Sequence, residues 1–201
     1  DQSPSKYIFL GSKGKKLAKE IKNADVFYYT GISAGILDAK QKKDLIHIGS
    51  TAVTCGFDFN YRSQLHNDKK VSQLLFKKIS ENVDINFVSF DDVKELFDIK
   101  NPYEVFEILN DKKNLILIRY KDSIIFKNKQ EVIKTVKVHH GEVVDTTAAG
   151  DAFNGSFLAL INNDKNIPIV ENILKSHSVT REVIKHKGAI ISNKNMPNIN
   201  T

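Results

Sequence analysis

Short apolar runs alternate along the chain with stretches whose apolar residues recur at helical spacing. The polar segment Lys13 to Lys22 reads as a helix, and the β-rich run Val26 to Thr30 follows it. Ala39 to Ile48 has a Lys-rich start and then Leu45, Ile46 and Ile48 at helical spacing. Ala52 to Phe59 reads as a strand. Val71 to Ile79 predicts a helix with Val71, Leu74, Leu75 and Ile79 on its apolar face. Ile85 to Val88 then reads as a buried strand, with short helices at Asp91 to Phe97 and Tyr103 to Leu109. Leu115 to Ile118 and Ser123 to Phe126 are strands around a polar turn at Tyr120 to Asp122. Glu131 to Val138 alternates like a half-exposed strand.

The final third is helical. Asp151 to Ile161 and Ile169 to Lys185 are its longest segments, with Pro168 suited to the first turn of the second. Repeated β-α units predict a mostly parallel sheet with helices on both faces and ligands at the carboxyl ends of the strands. No linker stands out, so residues 1–201 are expected to form a single domain.

Composition narrows the partners. The net charge is +6, from 30 basic and 24 acidic residues. The basic residues are spread along the chain and much of the excess is Lys. A solvated surface explains this better than a nucleic-acid footprint, and no RNA or DNA motif supports the latter. The one cysteine, Cys55, lies among apolar and small residues and reads as a buried small hydrophobe; it suits a reducing cytoplasm. No signal peptide and no membrane-length apolar run is visible. The chain begins with Asp1 rather than Met, so a natural N-terminus is not expected there.

The chemistry concentrates in Val143 to Gly155. A strand is expected to end near Val144 and a helix to begin near Gly150, with small residues between them. The first amides of a helix lack intrahelical partners and lie at its positive end, which makes an anion site. Asp151, in the first turn, either stabilises the helix start or acts as a general base beside that site.

Asp145 to Phe153 resembles the DTxxAGDxF signature of the PfkB, or ribokinase, carbohydrate kinases. The resemblance implies an α/β, ribokinase-like three-layer fold with a mostly parallel central sheet, here lacking the family's N-terminal strands and lid. The likeness extends over nearly the whole chain, as the C-terminal two-thirds of such a kinase, and is greatest to the kinases of 2-keto-3-deoxygluconate. It implies Asp151 as catalytic base, with Ala148, Ala149 and Gly150 forming the anion hole. It places Asp145 and Thr147 near a monovalent cation such as K⁺. Tyr29 to Ser33, with Gly31, resembles the loop lining the sugar pocket. Phe57 to Arg62 resembles a DxNxR segment, so Asn60 and Arg62 are candidates for holding the sugar acid or ATP; a guanidinium can grip a carboxylate through two parallel bonds. Ser89-Phe90-Asp91-Asp92 stands where the family has NxxE, which implies Asp92 as a group serving Mg²⁺ through water. Ser176-His177, Lys187 to Ile191 and Met196-Pro197 also match, with His177 toward adenine.

Two segments depart from the pattern. Tyr7-Ile8-Phe9-Leu10-Gly11-Ser12 resembles a YxRxGS segment that touches substrate; Tyr7 is kept, but Phe9 replaces the Arg and cannot bind a carboxylate. The KxGxxG nucleotide loop becomes Arg119-Tyr120-Lys121-Asp122-Ser123, without its glycines and one residue shorter. Arg119, Lys121 and Ser123 remain the ATP candidates there, with weakened binding or a repacked loop expected. The expected activity is phosphorylation of 2-keto-3-deoxygluconate to its 6-phosphate by ATP and Mg²⁺. The alternatives are an inactive remnant and a kinase for ribose or fructose. The expected partners are the sugar acid and ATP, with no nucleic acid and no membrane; a homo-oligomer stays open.

Overall fold

The computed structural model describes residues 14–66, 68–109, 114–128 and 132–198. Tyr7 and Phe9 lie outside the described residues. Six strands are joined in one sheet in chain order, with helices between the first four. The chain divides into two compact units: residues 1–120 with 126–134, and residues 121–125 with 135–201.

In the first unit, helix α1 (Gly14–Lys22) leads into β1 (Val26–Thr30), α2 (Gly31–Gly35), α3 (Ala39–Gly49), β2 (Thr54–Asp58), α4 (Lys69–Ser80), β3 (Ile85–Ser89), α5 (Phe90–Phe97), α6 (Glu104–Ile108) and β4 (Leu115–Tyr120). β1 to β4 pair parallel, as repeated β-α units require. The helix starts are set by short acceptors. The Asp38 carboxylate accepts the Gln41 N–H at 2.8 Å while the Gln41 side chain accepts the Asp38 N–H at 3.1 Å, a reciprocal cap for α3. Asp68 accepts the Lys70 and Val71 N–H groups and caps α4.

The face that α4 buries matches the expected one only in part: Ile79 is buried as expected, but Val71 and Leu74 are not. Val71 and Leu74 are 62% and 70% exposed, while Ser72, Phe76, Ile79 and Ser80 are buried. The aromatic ring at 76 decides the orientation. Phe76 sits within 5.4–5.7 Å, centroid to centroid, of Phe57, Phe59, Tyr61 and His66. One large ring among four others outweighs two aliphatic side chains.

The second unit contains α7 (Ala149–Asn163) and α8 (Ile169–Val183), which pack on each other. The Asn172 side-chain amide donates to the Phe157 carbonyl at 3.1 Å, and Phe153 stacks on Phe157. β5 (Ser123–Lys127) and β6 (Ile133–Lys137) straddle the unit boundary. β6 is more exposed than its alternation suggested: within it only Val136 is buried. The strand expected to end near Val144 is absent. Val143 and Val144 are exposed, and the N–H groups of Val144 and Asp145 both donate to the Ile184 carbonyl, at 2.8 and 3.1 Å. That carbonyl lies just past the end of α8, so the segment satisfies its backbone on a helix end rather than on a sheet edge. Among the described residues no helix is long and apolar enough to cross a membrane.

Candidate active site

In the first unit, parallel pairing brings Thr30, Asp58, Ser89 and Arg119 to the carboxyl ends of adjacent strands. Asp58 is almost fully buried. Its carboxylate accepts the Tyr28 hydroxyl at 3.4 Å and lies 3.4 Å from the Arg119 guanidinium. After β2 the chain turns through Asn60, at φ +33, into Tyr61 and Arg62. Arg62 Nη1 donates to the Tyr61 carbonyl at 2.6 Å and to Asp92 Oδ1 at 3.2 Å. Asp92 is in the first turn of α5. Burial pushes its carboxyl above the usual range; Arg62 and Arg119 oppose that shift, and Asp58 adds to it. Arg62, Asp92 and Arg119, expected on separate segments, therefore meet. The expectation of a site residue at Gly31 meets a packing constraint: a Cβ there would lie 2.0 Å from the Phe59 carbonyl oxygen and 2.7 Å from the Phe76 ring. Sequence reasoning gave Tyr28 no part and Asp58 only a place beside Arg62; the Asp of the DxNxR segment was the available signal for its role.

In the second unit, Ala148 adopts a left-handed conformation (φ +60) and turns the chain into α7. The Ala149 N–H donates to the Thr146 carbonyl at 3.1 Å, which leaves Gly150 and Asp151 as the outer amides of the helix start. The Asp151 side chain is exposed in that first turn. The preceding loop is fixed by Asp145. Its Oδ1 accepts from the Thr147 hydroxyl at 2.6 Å and the Thr147 N–H at 2.8 Å, and its Oδ2 from the Gly188 N–H at 2.9 Å. The Thr147 hydroxyl, followed by the Gly188 and Thr147 amides, holds the Asp145 carboxyl below its ordinary range. Lys121 (φ +49) lies in the turn ahead of Ser123, a left-handed position that a glycine would occupy without strain. Among the described residues no three His, Cys, Asp or Glu side chains gather to hold a metal.

His177 is buried on α8, in the wall of a cavity of about 450 Å³ that Lys137, Val138, His139, Leu174 and Arg181 also line. Its Nε2 is 3.0 Å from the His139 carbonyl. Burial, ahead of a smaller opposing effect of that hydrogen bond, lowers its pKa; the neutral ring then donates through Nε2–H. His66 is lowered for the same reason, aided by Lys42, and its buried Nε2 has no partner among the described residues. Both rings are thus neutral in the fold, whereas the unfolded chain takes up protons near pH 6.5. Stability is present above that pH and is lost as pH falls through the lower folded values. Urea unfolding should show a lower midpoint at pH 5.5 than at 7.5, and the difference should shrink in a His66→Phe/His177→Asn double variant.

The model of the pfkB family carbohydrate kinases matches residues 6–196. The 2-dehydro-3-deoxygluconokinase of Haemophilus influenzae is 30% identical over 199 residues, covering 95% of this chain and 63% of that protein. The Escherichia coli protein of the same name is 28% identical over 207 residues, covering 98% of this chain and 66% of its own length. The chain thus spans just under two thirds of these relatives. Among solved structures, a fructokinase from Xylella fastidiosa with bound ATP superposes with a TM-score of 0.72 at 18% identity, over 89% of this chain and 60% of that one. The matching family model covers nearly the whole sequence, the signature at Asp145 to Phe153 occupies a helix start with an exposed carboxylate, and the sheet is that of an α/β kinase fold: the chain belongs to the pfkB family of carbohydrate kinases.

Proposed function

We propose that the protein to which these residues belong transfers the γ-phosphoryl group of ATP to a hydroxyl of a sugar acid, converting 2-keto-3-deoxygluconate to its 6-phosphate. The observation that carries this reading is the start of α7, where an exposed Asp151 carboxylate shares the first helical turn with outward amides. Asp151 accepts the proton of the attacking hydroxyl. The new bond joins that oxygen to the γ-phosphorus as the bond to the β,γ-bridging oxygen breaks, and ADP leaves. The Gly150 and Asp151 amides, with the α7 dipole, stabilise charge on the transferring oxygens. Arg62 grips the sugar-acid carboxylate, and Asn60 sits beside it at the turn. Arg119, Lys121 and Ser123 meet the ATP phosphates, and the cavity beside His177 receives the adenine.

The half-buried Asp92, with the buried Asp58 as its like-charged neighbour, suits a divalent cation. Mg²⁺ there would neutralise charge on the β- and γ-oxygens of ATP. Asp145 uses three of about four acceptor positions in fixing its loop; the one left is on Oδ2, beside the Gly188 amide, and would take a monovalent cation.

A second reading, a kinase for ribose or fructose, draws on Phe9 standing where sugar-acid kinases carry an arginine. ADP release by the full-length protein, measured with 2-keto-3-deoxygluconate, fructose and ribose, separates the two. The sugar acid is expected to give the highest kcat/KM. A preference for a neutral sugar sinks the substrate assignment, and no turnover with any of the three favours an inactive remnant.

A further inference from the structure

Arg62 is not a free clamp: its Nη1 is committed to the Tyr61 carbonyl and to Asp92 Oδ1. The two partners differ in their surroundings. The Arg62 side chain is 49% exposed, whereas that of Asp92 is 18% exposed and faces the buried Asp58. Arg119, 3.4 Å from Asp58, is the second cation acting on both carboxylates. Two guanidiniums and two carboxylates therefore balance one another at the carboxyl ends of β2 to β4.

From this arrangement we infer that the Arg62–Asp92 pair is a latch that makes the sugar acid and the divalent cation bind cooperatively. The inference rests on the phosphoryl-transfer reading above. For Arg62 to take a sugar-acid carboxylate, its guanidinium must turn away from Asp92. That leaves Asp92 half-buried, with a like charge behind it and only the shared Arg119 in compensation, and a desolvated carboxylate without its partner is costly. A cation placed at Asp92 removes this cost in advance. Conversely, a sugar acid that has drawn Arg62 away leaves Asp92 more attractive to a cation. The coupling is reciprocal by thermodynamic necessity. Because the Arg62 end is solvent-exposed and its bond to Asp92 is single, the pair is weak enough to open. The coupling belongs at the low end of the usual range, about fivefold.

The test uses the full-length protein in two measurements. Calorimetric titration with 2-keto-3-deoxygluconate, in EDTA and then in millimolar Mg²⁺, should give wild-type binding about fivefold tighter with the cation. Asp92→Asn should bind at least as tightly in EDTA as wild type does in Mg²⁺, and should lose the response. In the second measurement, the Arg62 Nε–H resonance is followed while Mg²⁺ alone is added. It should move in the wild type toward the position it already holds in Asp92→Asn. Equal sugar-acid affinities for the two proteins in EDTA overturn the latch while leaving the substrate reading intact. Absence of binding to either protein overturns the substrate reading and the cooperativity built on it. An Arg62 resonance unmoved by Mg²⁺ overturns the latch whatever the sugar does.

Discussion

Asp151→Asn is expected to reduce turnover of 2-keto-3-deoxygluconate about 10²–10⁴-fold, the usual contribution of a positioned general base. The amide is isosteric but cannot accept the hydroxyl proton. The side chain is exposed in the first turn of α7, so its replacement removes no packing. Thermal unfolding should therefore remain close to wild type, and KM for ATP should change far less than kcat. That split separates a base from a residue that merely favours the helix start, whose loss would show in stability instead. Equal turnover in the two proteins would remove Asp151 from the chemistry.

The largest effect on stability is expected from Phe76→Ala, about 3–5 kcal/mol, the usual range for removing a buried phenyl ring. The side chain is fully buried, and four other rings surround it. Collapse into the cavity is hindered because the ring also abuts the backbone at Gly31. Denaturant titration should give a lower midpoint with little change in slope. The damage should reach function as well: Phe59 and Tyr61, which flank Asn60 and precede Arg62, lean on this ring. Phe76→Leu, which refills much of the volume, should recover a large part of the loss.

The physics behind the legible and illegible parts of the chain differs. β2, β3 and β4 were readable because a buried strand is a largely apolar run between polar breaks, and such a run needs no knowledge of its neighbours; β1, at the sheet edge and mostly half-buried, showed through its β-rich composition. The α7 start was readable because a strict spacing of small residues and an acid specifies a backbone conformation. The apolar face of α4 was legible only in part: Ile79 is buried, but Val71 and Leu74 on the same helical stripe are exposed, because the deciding contact is that of Phe76 with rings 10 to 19 residues earlier in sequence. Val143 and Val144 look like a strand by propensity alone. The amides of Val144 and Asp145 instead find Ile184, some 40 residues away, and tertiary context overrides a two-residue signal. The Arg62–Asp92 and Asp58–Arg119 pairs were invisible for the same reason: charges 30 and 61 positions apart meet only once the parallel register is known.

Cys55, the sole cysteine of the chain, lies in β2 with 1% of its surface exposed. Burial, aided by the nearby Asp84 charge, pushes its thiol up to about 12. At neutral pH the native thiol is thus both shielded and almost wholly un-ionised, so alkylating reagents and oxidants find no nucleophile. Once the parallel ladder opens, the same sulfur regains an ordinary thiol's acidity and reacts. The rate at which iodoacetamide modifies the protein then counts openings of the sheet, a clock already wound into the wild-type sequence.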